Sequence, residues 1–206
     1  MSQEPRQGPR HGALSHLALQ AGAGVVTDGA DVTMTALPYR PSLILRGESD
    51  DLVFLNACRA ALGFDLPLAA NHVNHNETFA ALWLGPNEWL VVGDGGREKL
   101  AACLGAGPEI CRHALISNGD GQQVIALSGP KARDVLAKLC PLDLDSPDLA
   151  PGRCARSVLA GIAITLWPQG DKDDSTGGGY RIHVGRSFAD YAWRIITDAA
   201  IEYSVE

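Results

Sequence analysis

An internal duplication constrains the fold of this 206-residue chain more than any other feature. The stretch Val124 to Leu144, VIALSGPKARDVLAKLCPLDL, repeats the outline of Leu43 to Pro67, LILRGESDDLVFLNACRAALGFDLP. Each copy reads as a short apolar strand, a glycine turn (Gly47, Gly129), an amphipathic helix and an Asp-Leu exit (Asp65-Leu66, Asp143-Leu144). The spacing from glycine to aspartate is 18 residues in the first copy and 14 in the second. That difference is about one helical turn, so the order of elements is preserved. Two copies of a strand-helix unit with no nucleophile or metal cluster point to a binding or assembly scaffold more than to a self-contained enzyme.

The rest of the chain fits an α+β fold. After Leu43 to Arg46, a helix opened by Ser49 or Asp50 carries Leu52, Leu55, Cys58 and Leu62 on one face and stops at Gly63. Phe79 to Leu84 and Trp89 to Val92 read as strands joined by Gly85-Pro86-Asn87-Glu88, with a short helix at Arg97 to Leu104. In the second copy Pro130 suits the first helical turn, with Ser128 as its cap, and Ala132, Val135, Leu136 and Leu139 form the apolar stripe. Ser157 to Trp167 reads as one long strand and Tyr180 to Val184 as another. Ser187 to Asp190 has the form of a capping box before a helix presenting Phe188, Tyr191, Ile195 and Ala199. The expectation is two pseudo-repeated units with antiparallel sheets covered by helices on one side. They comprise an arm at 1–13 without fixed structure, a first half at 14–112 and a second at 113–206, together one compact two-part domain. The loop Gln169 to Gly179, QGDKDDSTGGG, is expected to be mobile.

Composition narrows the function classes. Lys and Arg number 17 against 24 Asp and Glu, a net charge of −7. That sign repels phosphate backbones, which argues against nucleic acid as a partner. The first residues, MSQEPRQGPRHG, lack the apolar run of a secretory signal, and no ~18-residue apolar stretch suits a membrane span. A cytoplasmic location without membrane attachment is expected. The five cysteines, Cys58, Cys103, Cys111, Cys140 and Cys154, are odd in number and irregularly spaced. They support neither a disulfide framework nor a zinc ribbon, and read as small core hydrophobes.

Nothing in the sequence has the spacing to cradle a nucleotide phosphate. His72 and His75 are three apart without a third ligand, and read as a solvated loop. His183 is expected to be an exposed strand residue between two core neighbours. Asp120, in the turn S-N-G-D-G-Q, is the one candidate for contact with a cofactor; no catalytic and no metal-ligating residue is assigned.

Five blocks together carry a family resemblance: Trp83 to Leu90 (WLGPNEWL), Leu127 to Arg133 (LSGPKAR), Cys140 to Leu144 (CPLDL), Gly152 to Ala155 (GRCA) and Arg186 to Trp193 (RSFADYAW). In this order they resemble the gamma subunit of heterotetrameric sarcosine oxidase, a family similar in fold to the folate-binding domains of aminomethyltransferases. One departure is the S-N-G-D-G-Q turn, where family members more often carry an S-D-x-R type. The resemblance implies a non-catalytic subunit of an oxidoreductase that demethylates sarcosine to glycine, using oxygen and tetrahydrofolate. It implies partners of alpha, beta and delta type, with FAD, FMN, NAD, tetrahydrofolate and zinc carried by those subunits and none by this chain. Trp89, Arg186 and Tyr191 are then candidates for the partner interface. The alternative is an autonomous folate-binding or one-carbon-transfer protein that uses the cleft between the halves, for which Asp120 would polarise a folate amine.

Overall fold

The computed structural model describes residues 13–14, 24–25, 31–104, 111–118, 121–170 and 179–203. The expected 1–13 arm, apart from Ala13, and most of the 169–179 loop lie outside the described residues. Strand β1 (Gly24–Val25) pairs with β2 (Thr33–Ala36), and β3 (Ser42–Gly47) opens the first copy. Helix α1 (Leu52–Leu62) follows, then β4 (Val73–His75), β5 (Ala80–Gly85), β6 (Glu88–Val92), α2 (Gly96–Leu104) and β7 (His113–Ser117). The second copy supplies β8 (Gln122–Ser128) and α3 (Ala132–Leu139). The chain continues as β9 (Ala155–Leu159), β10 (Ile162–Gln169), β11 (Gly179–Gly185) and α4 (Ala189–Ala200).

Two antiparallel sheets form among the described residues, one in the order β1-β2-β8-β11-β10-β9 and the other in the order β4-β5-β6-β3-β7. The chain exchanges strands between them. β2, early in the sequence, pairs with β8 (Met34 opposite Leu127), and β7 returns to β3 (Leu45 opposite Leu115). Helices cover the outer face of each sheet. On one side Phe54, Cys58, Ala61 and Leu62 of α1, with Leu100 and Leu104 of α2, pack on Leu43, Leu45, Ala81, Trp89 and Val91. On the other, Val135 and Leu136 of α3 and Ala189, Ala192, Trp193 and Ile196 of α4 pack on Ile125, Leu127, Ile164, Leu166 and Ile182. The inner faces meet in a third cluster, where Val73, Ala80, Leu82, Leu90 and Val92 of one sheet touch Trp167 of the other and Cys154 beside them. The layers therefore run helix, sheet, sheet, helix, the α+β arrangement of two covered antiparallel sheets.

Local chemistry explains the boundaries and corrects several expectations. The cap of α1 is Asp51, whose carboxylate accepts from the backbone of Val53 at 2.8 Å and Phe54 at 3.3 Å. Ser49 and Asp50 lie ahead of it. Gly63 closes the helix at φ 84, in the left-handed region glycine adopts without strain. Phe54 takes the core position, while Leu52 is 71% exposed. The reason lies on β3: at Gly47 a side chain would occupy the space of the Phe54 ring, so the helix turns Phe54 into it.

The long strand expected over Ser157 to Trp167 is a hairpin. Ala160 and Gly161 have φ of 46 and 90, the two positive values of a tight turn that reverses the chain between β9 and β10. The face of α4 is one residue later than expected, which rotates the helix by about 100°. Trp193 turns inward with Ala192 and Ile196, because burying the larger indole removes more apolar area from water than burying Tyr191. No side chain caps α4: Ser187 sits in a short 3-10 turn, Arg186–Phe188, ahead of it. Ser128 is likewise the exposed last residue of β8, and α3 begins after Lys131 without a side-chain cap.

Candidate functional site

The residues singled out for partner contact do not come together. Trp89 lies on β6 beneath the α1–α2 layer and is 0% exposed. Its Nε1 donates to the Pro67 carbonyl at 2.7 Å, and its ring packs against Phe54 with centroids 5.8 Å apart. The expectation of Trp89 as a docking residue is therefore corrected: strand alternation turns it toward the helices, where its polar edge is already satisfied.

Arg186 and Tyr191 share a different surface, the 3-10 turn and first turn of α4. Both are exposed, and Phe188 beside them is half exposed. The Tyr191 hydroxyl donates to the Ala160 carbonyl at 3.2 Å, which fixes the ring over the β9–β10 hairpin. The Arg186 backbone N–H donates to the Gly121 carbonyl at 2.9 Å, so this surface abuts the turn after β7. Within that turn Gly121 N–H donates to Asn118 O at 2.9 Å. Asp120, the cofactor-contact candidate, lies outside the described residues.

The inter-sheet layer holds what periodicity missed. His183 is 3% exposed, contrary to its expected place on the surface. Both faces of β11 are covered, Ile182 by the helices and His183 by the other sheet, so alternation there no longer separates core from solvent. Burial, then the charge of Arg181, pushes the His183 imidazole down from 6.5 to about 4, so it is neutral near pH 7. Two residues along the same face, the Arg181 guanidinium lies 4.9 Å from the Trp167 ring centroid, and burial together with Arg40 lowers its pKa. The His75 ring meets Trp167 at 5.7 Å. His72 instead accepts from Arg153 at 2.9 Å through Nδ1, joining the segment before β4 to the segment before β9. His75 is solvent-exposed as expected but ends strand β4, and half-buried His72 bridges to Arg153 just ahead of it. Among the described residues no group of His, Cys, Asp and Glu has metal-binding geometry.

The thiols are packing groups in the main. Burial pushes Cys58 and Cys154 up to about 12, which leaves them as unreactive thiols, and only Cys103 is exposed. A cavity of about 20 Å³ between the sheets is lined by Leu37, Arg40, Val92, Gln122, Val124 and His183 among others. A cleft of about 160 Å³ lies at the start of α2, and an open groove of about 460 Å³ lies beside the β5–β6 turn. Its Arg46 and Glu88 are already paired at 2.7 Å. None of these lies between the sheets at the size of a pterin, where drug-sized ligands need about 300 Å³ or more. Among the described residues no helix is long and apolar enough to cross a membrane.

Comparison with known proteins places this architecture. The gamma subunit of sarcosine oxidase from Corynebacterium sp. (strain U-96) is 30% identical over 197 residues, covering 95% of this chain and 92% of that one. The corresponding subunit from an Arthrobacter species is 38% identical over 120 residues, 56% of this chain and 57% of the relative. A solved chain of the heterotetrameric sarcosine oxidase from Corynebacterium sp. U-96, in complex with pyrrole 2-carboxylate, superposes with a TM-score of 0.78 at 28% identity. The match covers 96% of this chain and 97% of that one. The glycine cleavage system aminomethyltransferase T from Bartonella henselae shares the fold alone, with a TM-score of 0.56 at 15% identity over 90% of this chain and 48% of that one. The model of the sarcosine oxidase, gamma subunit family matches residues 46–202. The duplicated strand-helix units, the two covered sheets and these matches agree, and the chain belongs to the sarcosine oxidase gamma subunit family.

Proposed function

We propose that this chain is the non-catalytic gamma subunit of a heterotetrameric sarcosine oxidase, assembled in the cytoplasm with alpha, beta and delta partners. The carrying observation is the end-to-end superposition on a chain of such a complex, which leaves almost no part of either chain unmatched. In this reading FAD, FMN, NAD, tetrahydrofolate and zinc reside in the partner subunits, and the chemistry of sarcosine demethylation with them. The contribution of this chain is positional: a rigid double sheet that orients a larger subunit so that its sites keep their spacing. Arg186 and Tyr191, with Phe188 between them, form the contact surface. An exposed aromatic pair beside an arginine is the composition on which interface energy concentrates.

An autonomous folate protein using the cleft between the halves is the weaker reading. Val73, Leu82, Leu90, Val92 and Trp167 fill the layer where a pterin would have to lie.

The test is co-expression of the tagged chain with alpha, beta and delta partners. Flavin absorbance and sarcosine-dependent peroxide production are then followed in the purified material. A stoichiometric, yellow, active complex is expected. Tyr191→Ala with Phe188→Ala should lower partner recovery at least tenfold at limiting concentration. A chain that purifies alone and colourless, yet binds tetrahydrofolate by calorimetry, would sink the proposal.

A further inference from the structure

Among the described residues two buried side-chain atoms lack a hydrogen-bond partner, Gln122 Oε1 and His183 Nε2, and both residues line the same cavity of about 20 Å³. They stand on adjacent strands, on the face of the six-stranded sheet that meets the other sheet: Gln122 lies opposite Gly185 and Val124 opposite His183. The opposing walls are Ser42 and Val92 of the five-stranded sheet, and the crossover residues Leu37 to Arg40 form the rim. The backbone of that crossover is already clasped to β8. Leu37 N–H donates to the Val124 carbonyl at 3.0 Å, and Gln123 Nε2 donates to the Leu37 carbonyl at 3.0 Å. Gln123 is thus satisfied on its own side, while its neighbour Gln122 is not.

Leaving two such buried atoms unpaired is costly, and native proteins resolve the cost with a partner or with water. The space decides which. One water needs about 10–15 Å³ measured for a water-sized sphere, and the space here is about 20 Å³, enough for one water. The charges agree. Arg40 on the rim and Arg181 two residues from His183 place a positive field here, which rejects a cation. The lone pairs of Gln122 Oε1 and the apolar walls of Leu37, Val92 and Val124 reject an anion. A neutral species that both donates and accepts is required.

We infer that a single internal water bridges Gln122 Oε1 and His183 Nε2 and ties the 37–40 crossover between the two sheets. It donates one proton to the glutamine carbonyl and completes its set with the histidine ring nitrogen and the crossover. The site belongs to this chain and does not depend on the assembly proposed above.

Two measurements test it. A high-resolution crystal structure of the chain, alone or in its complex, should show one isolated peak within roughly 3.2 Å of both atoms. An empty cavity, or a Gln122 side chain turned to bond His183 directly, overturns the inference. Independently, Gln122→Met, His183→Leu and the double variant are unfolded by denaturant. If the water couples the pair, each single change strands the other group. The double variant then unfolds with an equilibrium constant about tenfold smaller than the product of the single effects requires. Additive effects would count against the bridge, and His183→Gln, which keeps a polar end, serves as the gentler partner should His183→Leu fail to fold.

Discussion

Gly47 and Gly129 hold the same place in the two copies, between strand and helix, yet they are needed for different reasons. At Gly47 an added side chain would meet the Phe54 ring, a side chain of the very helix that follows. At Gly129, where φ is 109, it would meet the backbone of Asp31, a distant segment whose carbonyl accepts from Lys131 N–H at 3.0 Å. The helices differ in the same sense. α1 is closed at both ends by its own residues, Asp51 and Gly63, whereas α3 has no side-chain cap and is held by the burial of Ala132, Val135 and Leu136. The first helix is started by a side chain of its own copy, while the second starts against the backbone of a distant segment. A duplicated pattern therefore preserves the order of elements without preserving what stabilises them.

Substitutions can break or sharpen this contrast. Gly129→Ala should have the largest effect, about 4 kcal/mol, because a strained φ and a backbone clash act together and neither relaxes cheaply. Denaturant unfolding of the purified chain would measure it, and a cost below that of Gly47→Ala would undo the comparison. Next comes the layer where the copies meet. His183 is neutral in the folded state down to about pH 4, but the unfolded chain takes up a proton near 6.5. Stability is full above pH 6.5 and falls by about 3 kcal/mol as pH drops to 4, since the unfolded state binds the extra proton over that window. The difference in pH profile between the parent chain and His183→Gln isolates this contribution. Equal slopes would show that another group carries the acid sensitivity.

Gly47→Ala should cost about 2 kcal/mol, less than its counterpart, because the ring it meets is a side chain that can shift. The rescue test is Phe54→Leu in the same chain, which should recover part of the loss. The smallest effect belongs to Asp51→Ala, about 1 kcal/mol for a lost helix cap. It should appear as faster amide exchange in the first turn of α1 with little change at α3, and equal change in both helices would contradict the local reading of the first copy.

The duplication, the glycine turns, the β5–β6 hairpin and the helix stops were legible because each rests on neighbours in sequence. Helix phase was not. Leu52, Val53, Phe54 and Leu55 offer several apolar stripes, and the choice among them is made by Gly47 on another element. At α4 the same ambiguity was resolved by Trp193. The β9–β10 turn escaped notice because Ala160 and Gly161 look apolar and small, while what matters there is backbone sign. His183 and Trp89 were misplaced for one reason: in stacked layers both faces of a strand are covered, and alternation ceases to report solvent. Tyr191 is exposed because the buried face of α4 lies one residue later than the expected stripe, and the nearness of Gln122 to His183 spans β8 and β11 and has no local signature.

The strand exchange between the sheets also sets a timetable. Met34 on β2 pairs with Leu127 on β8, about 90 residues later, and at roughly 5–20 residues per second the early strand waits some 5–20 s on the ribosome before its partner exists. During that interval Met34 and Ala36, buried in the finished protein, have no sheet to join. Folding of this chain is thus gated by synthesis of its second half, and the emerging amino-terminal third is the segment a chaperone would meet first.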